Sequence, residues 1–287
     1  MKKILLILCF LNSCYAIYRY RFYFPENNRL IQGIFIVNLA IYYLSCAYIM
    51  KFKLIKSPNY TKKSRNNDLI KFIILHYTGM QSKRASIKRL CSKKHKVSCH
   101  YLIDRKGKII QLVNDNKIAW HAGKSRWKKF INLNKFSIGI ELVNKGHIFG
   151  YQNFTSVQIK KLILLCKYLR KKYNIHSSNI LGHSDIAPKR KKDPGEKFPW
   201  DLMDRKKLGL FSNLNKENLI TKKTKINRNK FFHNLSKIGY KYFSIKKSSK
   251  NDSHIIRAFQ RRFFQKGVTG KIDQKTFKIS HYLAGKF

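Results

Sequence analysis

The sequence predicts an α/β fold: a mixed β-sheet flanked by helices, followed by a small C-terminal all-α module. Three observations carry this expectation. Apolar, β-branched runs of strand length recur at 70–75, 97–103, 108–113 and 136–143. A long segment with helical spacing follows the last of them. Beyond a Lys/Asn-rich stretch, the chain shows only helical patterns. Strands and helices in mixed order point to an α/β domain, and the terminal helices to an appendage.

The elements read in order as follows. Residues 1–50 look like a targeting or membrane-anchor region. Met1, Lys2 and Lys3 precede the apolar run 4–11, a charged segment followed by a hydrophobic one. Leu11-Asn12-Ser13-Cys14 then resembles a bacterial lipobox, with Asn12 out of place. A second apolar run, 34–50, is about long enough to cross a membrane. It contains Tyr43-Leu44-Ser45-Cys46, where Tyr43 stands in place of the usual Leu. Basic residues flank both runs, so the positive-inside rule sets no topology. Residues 51–67 are polar and basic and read as a tether.

The folded region, 68–212, opens on the run 70–75, a buried strand. The runs 97–103 and 108–113 bracket Asp104-Arg105-Lys106-Gly107, a hairpin-like turn. The strand 136–143 precedes a helix with a clear start: Thr155 and Gln158 form a capping box, and Phe154 is placed to staple against Ile159. Ile159, Leu162, Ile163, Cys166, Leu169 and Tyr173 recur at helical spacing and form a core stripe. Residues 213–230 read as a linker. The module 231–287 carries helical stretches at 234–242 and 253–264, then a turn through Gly267 and Gly270, and Asp273 as the cap of a last short helix.

Charge is extreme, with 62 Lys and Arg against 13 Asp and Glu for a formal +49. Such a balance suits a polyanion partner. Lysine is spread along the whole length, however, and Asn, Ile, Phe and Tyr are abundant too. All five have AT-rich codons, so compositional drift explains the charge and no specific nucleic-acid partner is expected. The six cysteines form no CxxC pair; a Cys91–Cys99 bridge is open in an oxidising compartment, and small buried thiols are the plainer reading. Scarce acids have one use: a carboxylate inside an apolar strand is hard to dismiss as neutral surface.

Chemistry concentrates in 182–195. His183 lies ten residues ahead of Asp193 on a segment stiffened by Pro188 and Pro194. An imidazole and a carboxylate are ligands that Zn²⁺ accepts. His76, at the end of the first buried strand, supplies a third, although a lone His there is more often a core residue. Two histidines and one carboxylate leave a position open for water, as in a catalytic zinc site. Glu141 interrupts the apolar strand 136–143. Burial of an unpaired carboxylate is costly, and a nearby metal and water would compensate, so Glu141 is the candidate general base. Lys191, two residues before Asp193, is placed to stabilise an oxyanion.

Together, His76-Tyr77-Thr78, residues 97–103, Ala119-Trp120-His121-Ala122-Gly123, residues 137–144 and residues 182–195 resemble the zinc-dependent N-acetylmuramoyl-L-alanine amidases, the group that also holds the peptidoglycan recognition proteins and phage T7 lysozyme. The likeness spans about residues 68–211, nearest to the envelope lipoprotein branch and next to the cytoplasmic anhydro-muramyl branch. It implies Zn²⁺ on His76, His183 and Asp193, Glu141 as base, and Lys191 at the oxyanion. It also implies that Trp120 and His121 line the substrate groove; from the residues alone, Trp120 reads as a core aromatic and His121 is ambiguous. The implied reaction is cleavage of the amide between the lactyl group of N-acetylmuramic acid and L-alanine, with peptidoglycan or muropeptides as partners. Residues 231–287 resemble the peptidoglycan-binding module of the lipoprotein branch, whose acylated cysteine lies about this far upstream of the first zinc histidine; the resemblance thus implies Cys46, over Cys14, as a lipidated anchor. The expected setting is the bacterial cell envelope, membrane-anchored and facing the periplasm, as a monomer. The competing reading is a non-catalytic peptidoglycan-binding protein on the same fold; relatives of that kind lose a zinc ligand, whereas all three are present here.

Overall fold

The computed structural model describes residues 52–211 and 225–287. A six-stranded mixed sheet forms the centre. Its strands are β1 (Lys53–Leu54), β3 (Phe72–Tyr77), β4 (Tyr101–Ile103), β5 (Ile109–Gln111), β9 (Ser137–Leu142) and β10 (Ile180–Gly182), in the order β1-β5-β4-β9-β3-β10. Neighbours are parallel except the β4–β5 hairpin, which turns at Asp104 as its sequence predicts. Two small antiparallel pairs lie outside the sheet: β2 (Tyr60–Thr61) with β6 (Ile118–Ala119), and β7 (Arg126–Trp127) with β8 (Phe130–Ile131). The central strands β3 and β9 are buried along nearly their whole length, the signature of a parallel sheet covered on both faces.

Helix α1 (Lys83–Cys91) begins at Ser82, whose hydroxyl accepts the Ala85 N–H. Helix α2 (Ser156–Lys172) begins at Thr155, which accepts from Gln158 N–H at 3.2 Å. The capping box is only half made. The Gln158 side chain turns inward instead and donates to Ile103 O at 3.0 Å and Val143 O at 3.2 Å, tying the helix to the ends of β4 and β9. The short helices α3 (His183–Ile186) and α4 (Trp200–Arg205) follow β10.

Segment 51–67 does not behave as a tether over its described part. β1 joins the sheet beside β5, and β2 pairs with β6. The polar residues that suggested solvent exposure serve the domain's backbone. Asn59 Nδ2 donates to Ser92 O and Val97 O at 2.9 and 2.8 Å. The Arg65 guanidinium is buried and donates to carbonyls of Asp115, Asn134, Lys135 and Ser137.

The C-terminal helices are α5 (Arg228–Ile238), α6 (Asp252–Phe263) and α7 (Gln274–Ala284). α5 starts inside the stretch that reads as linker, because Asn227 caps it by accepting Lys230 N–H at 2.9 Å. Asp273 caps α7, accepting Thr276 N–H at 2.7 Å. These helices are not set apart: Phe231, Leu235, Phe259 and Phe263 share one apolar core with Phe72, Ile74, Trp127 and Leu181 of the sheet domain. The described residues, 52–211 and 225–287, form one compact unit. Among the described residues, Cys91, Cys99 and Cys166 are free thiols, so the Cys91–Cys99 bridge is not formed, and no helix is long and apolar enough to cross a membrane. The anchor candidates Cys14 and Cys46 lie outside the described residues.

Candidate active site

Strand register brings the first two site residues together. His76 on β3 is paired with Glu141 on β9, and residues in register on neighbouring parallel strands face the same side. On the other flank of β3, β10 runs into α3, so His183 emerges beside the end of β3. Gly182 N–H donates to Asp185 Oδ2 at 2.8 Å and closes this turn. Ser184 N–H donates to Asp193 O at 2.8 Å, folding the far end of the loop back onto the helix. Gly182 is required here, because a Cβ would sit 2.8 Å from Pro194 Cδ.

The result is a cluster of three buried ligand atoms. His76 Nδ1 and His183 Nδ1 are 2.9 Å apart, and each is 3.0 Å from Asp193 Oδ2. Their outer nitrogens are spoken for. His183 Nε2–H donates to Ala122 O at 3.1 Å, which leaves Nδ1 of the neutral ring as a lone pair. His76 is fixed by a longer chain. Ser137 O–H donates to Leu133 O at 2.6 Å, so its oxygen accepts from His121 Nε2–H at 3.3 Å; His121 Nδ1 then accepts from His76 Nε2–H at 3.1 Å. His76 Nδ1 is therefore also a lone pair. Two imidazole lone pairs and a carboxylate oxygen meeting at about 3 Å repel one another unless a cation lies among them. The donor set fits a divalent metal.

Electrostatics agree. Burial, then the neighbouring His183, pulls the His76 pKa down to about 4, keeping the ring neutral as a ligand must be. Burial would raise the Asp193 carboxyl, but His183 and His76 outweigh it and hold the group well below the usual carboxylate range. Glu141 behaves oppositely: burial first, then the charge of Asp193, pushes it up to about 8, with Lys191 opposing. Its Oε2 is buried without a hydrogen-bond partner, so it is available to a molecule in the cavity.

That cavity, of about 730 Å³, is lined by His76, Tyr77, Glu141, His183, Lys191 and Asp193. Arg89, Arg190 and Lys192 add positive charge, and Ile148 and Phe149 form an apolar lip. Six of the seven residues singled out by sequence line this one cavity, His121 among them. Trp120 is the exception; its indole N–H donates to Thr61 Oγ1 at 3.2 Å, on the β2–β6 side. His121 borders the cavity but is buried behind His76 as its hydrogen-bond partner, because Gly139 leaves room for the ring: a Cβ there would lie 2.4 Å from His121 Cγ. Ser137, Arg89 and Arg190 escape sequence reasoning, the arginines among 62 basic residues and Ser137 as an ordinary strand opener.

The family profile described as N-acetylmuramoyl-L-alanine amidase matches residues 65–196, the span that holds every cluster residue. The chain is 32% identical over 236 residues to N-acetylmuramoyl-L-alanine amidase AmiD of Escherichia coli, covering 76% of this chain and 83% of AmiD. It belongs to the N-acetylmuramoyl-L-alanine amidase family. The amidase is also 36% identical over 165 residues to the 1,6-anhydro-N-acetylmuramyl-L-alanine amidase AmpD of Haemophilus influenzae, covering 51% of this chain and 87% of AmpD. Its fold superposes on E. coli AmiD in complex with the substrate anhydro-N-acetylmuramic acid-L-Ala-D-γ-Glu-L-Lys, with a TM-score of 0.69 and 31% identity over 79% of this chain and 92% of that one. The amidase matches AmpDh3 of Pseudomonas aeruginosa with anhydromuramic pentapeptide equally well, at TM-score 0.69 and 29% identity over 81% and 98% of the two chains. These matches extend well beyond residues 65–196.

Proposed function

We propose that this amidase is a zinc hydrolase that cuts the amide between the lactyl group of N-acetylmuramic acid and L-alanine of the stem peptide, in cell-wall turnover. The observation that carries the reading is the convergence of His76 Nδ1, His183 Nδ1 and Asp193 Oδ2 beside an unpartnered Glu141 oxygen. His76, His183 and Asp193 would hold Zn²⁺, which when bound would polarise the scissile carbonyl and acidify water. Glu141, whose buried Oε2 has no partner, takes the proton of the attacking water and returns it to the leaving amine. Lys191, on the cavity wall, supports the negative charge of the tetrahedral intermediate. Arg89, Arg190 and Lys192 give a positive approach for the carboxylates of a stem peptide.

The complexes of AmiD and AmpDh3 support anhydro-muramyl peptides as substrates of this chain too. Its N-terminal apolar runs support a membrane anchor, and a peptidoglycan substrate calls for a catalytic unit on the periplasmic side. The test is digestion of intact sacculi, ordinary muropeptides and anhydro-muropeptides by the purified full chain. Release of peptides headed by L-alanine, abolished by chelation and restored by Zn²⁺, is expected. Undiminished release after chelation sinks the metal reading.

A further inference from the structure

The loop that carries two of the three ligands is held from outside by the C-terminal helices. Asp185 sits two residues after His183 and is buried. Its carboxylate accepts Gly182 N–H at 2.8 Å, Arg262 Nη1–H at 2.5 Å and Tyr240 O–H at 2.6 Å. Two of those three donors come from the C-terminal segment. Arg262 on α6 is 2% exposed, and Asp185 is its ion-pair partner. The same guanidinium donates from Nη2 to Ile180 O at 3.1 Å and from Nε to Leu210 O at 3.2 Å, and lies 4.0 Å from the centre of the Trp200 ring. One side chain therefore ties the edge strand β10, the His183 turn and α4.

Helix α6 also reaches the far end of the loop. Arg261 Nε is 3.8 Å from Glu196 Oε2, three residues beyond Asp193. Just past α6, Gln265 Nε2–H donates to Phe198 O at 2.6 Å. A buried guanidinium is costly without its carboxylate and a buried carboxylate without its cation, so the pair is satisfied only when α6 is docked against the His183 turn. β10 is an edge strand whose Ile180 carbonyl would otherwise lack a partner on that side, and Arg262 fills the position.

We propose that α6 is a strut for the metal-ligand loop and that Arg262 is a positioning residue acting through Asp185 on His183. The C-terminal module then contributes to the hydrolase itself, whatever wall component it touches. The inference rests on the zinc reading in one respect only: the ligand whose placement it controls is read out through metal affinity.

The experiment uses the full chain with Arg262→Met, Arg262→Lys and the gentler Tyr240→Phe. A control, Arg228→Met, breaks the Arg228–Asp252 pair, which lies within the C-terminal module and touches no part of the ligand loop. Two quantities are measured: the Zn²⁺ dissociation constant by competition with a chromophoric chelator, and hydrogen exchange of the backbone amides of 182–193 in zinc-free protein. Arg262→Met should raise the dissociation constant about ten-fold and speed exchange at Gly182 and Ser184, with Arg262→Lys and Tyr240→Phe intermediate and Arg228→Met near native. Native affinity and exchange in Arg262→Met and Tyr240→Phe overturn the strut. So do equal losses in Arg228→Met, which would mean general loosening. A native chain that binds no Zn²⁺ defeats the zinc reading alone, because the exchange measurement still decides the strut.

Discussion

Glu141 stands in register with His76 across the β3–β9 pair, so the proposed base and a proposed metal ligand share one face of adjoining parallel strands. Neither can move without disturbing the sheet's most buried strands. This placement separates binding from proton transfer. Glu141→Gln keeps the shape and removes only the proton-accepting carboxylate. It should lower kcat on muropeptides by about 10²–10⁴-fold while leaving Zn²⁺ content unchanged. Metal analysis beside single-substrate kinetics checks this, and a Glu141→Gln enzyme with native kcat excludes Glu141 as base.

The same carboxyl gives the zinc-free protein a pH signature. Its folded pKa, about 8, lies above the value near 4.5 of an exposed glutamate, chiefly through burial. The folded state then holds a proton that the unfolded state has lost, so stability is highest below pH ~4.5 from this group and declines as pH rises towards 8. At about 1.4 kcal/mol per pH unit, over about 3.5 units, the loss is on the order of 5 kcal/mol. Glu141→Gln should remove that slope. Urea unfolding of zinc-free native and variant protein from pH 5 to 9 should show the two curves diverging, with the variant more stable at the alkaline end.

The sequence exposed whatever depends on residue type and spacing. Ile70 to Leu75 read as a buried strand, and Thr155 and Asp273 as caps, because apolar periodicity and cap chemistry are local. The cluster of His76, His183 and Asp193 was legible because candidate metal ligands come from a short menu of residues in stiff surroundings. What stayed hidden is pairing between distant segments. Arg65 looks like any basic residue until its four carbonyl-bearing partners are folded around it. Arg262 is equally anonymous, and its partner Asp185 lies 77 residues away. His121 was assigned to the groove by resemblance, but only three-dimensional contact with His76 and Ser137 shows its hydrogen-bonding position.

That position yields a prediction for a residue that touches neither metal nor substrate. Ser137 sets the His121 ring, which in turn receives the His76 Nε2 proton. Ser137→Ala frees His121 Nε2 from its acceptor, letting the proton shift to Nδ1 and oppose the tautomer in which His76 Nδ1 is a lone pair. Zn²⁺ affinity should fall about ten-fold, with the far-ultraviolet circular dichroism unchanged. Affinity equal to native would show that the His76 tautomer is set without the serine.

The last prediction concerns the segment whose composition suggested a free tether. Arg65 is 6% exposed, and burial draws its pKa down to about 10, with Asp115 opposing. Its donors satisfy carbonyls at 115, 134, 135 and 137, the last being the first residue of β9. Removing the guanidinium leaves those acceptors buried and unpaired, at about 1–3 kcal/mol for each that water cannot reach. Arg65→Met should therefore cost about 3 kcal/mol or more in urea unfolding, whereas Lys62→Met, an exposed neighbour, should stay within about 0.5 kcal/mol of native. Because β9 also carries Glu141, the loosened strand should raise the hydrogen-exchange rate along 137–142. If Arg65→Met unfolds like Lys62→Met, the guanidinium does not anchor the segment and its carbonyl partners are satisfied without it.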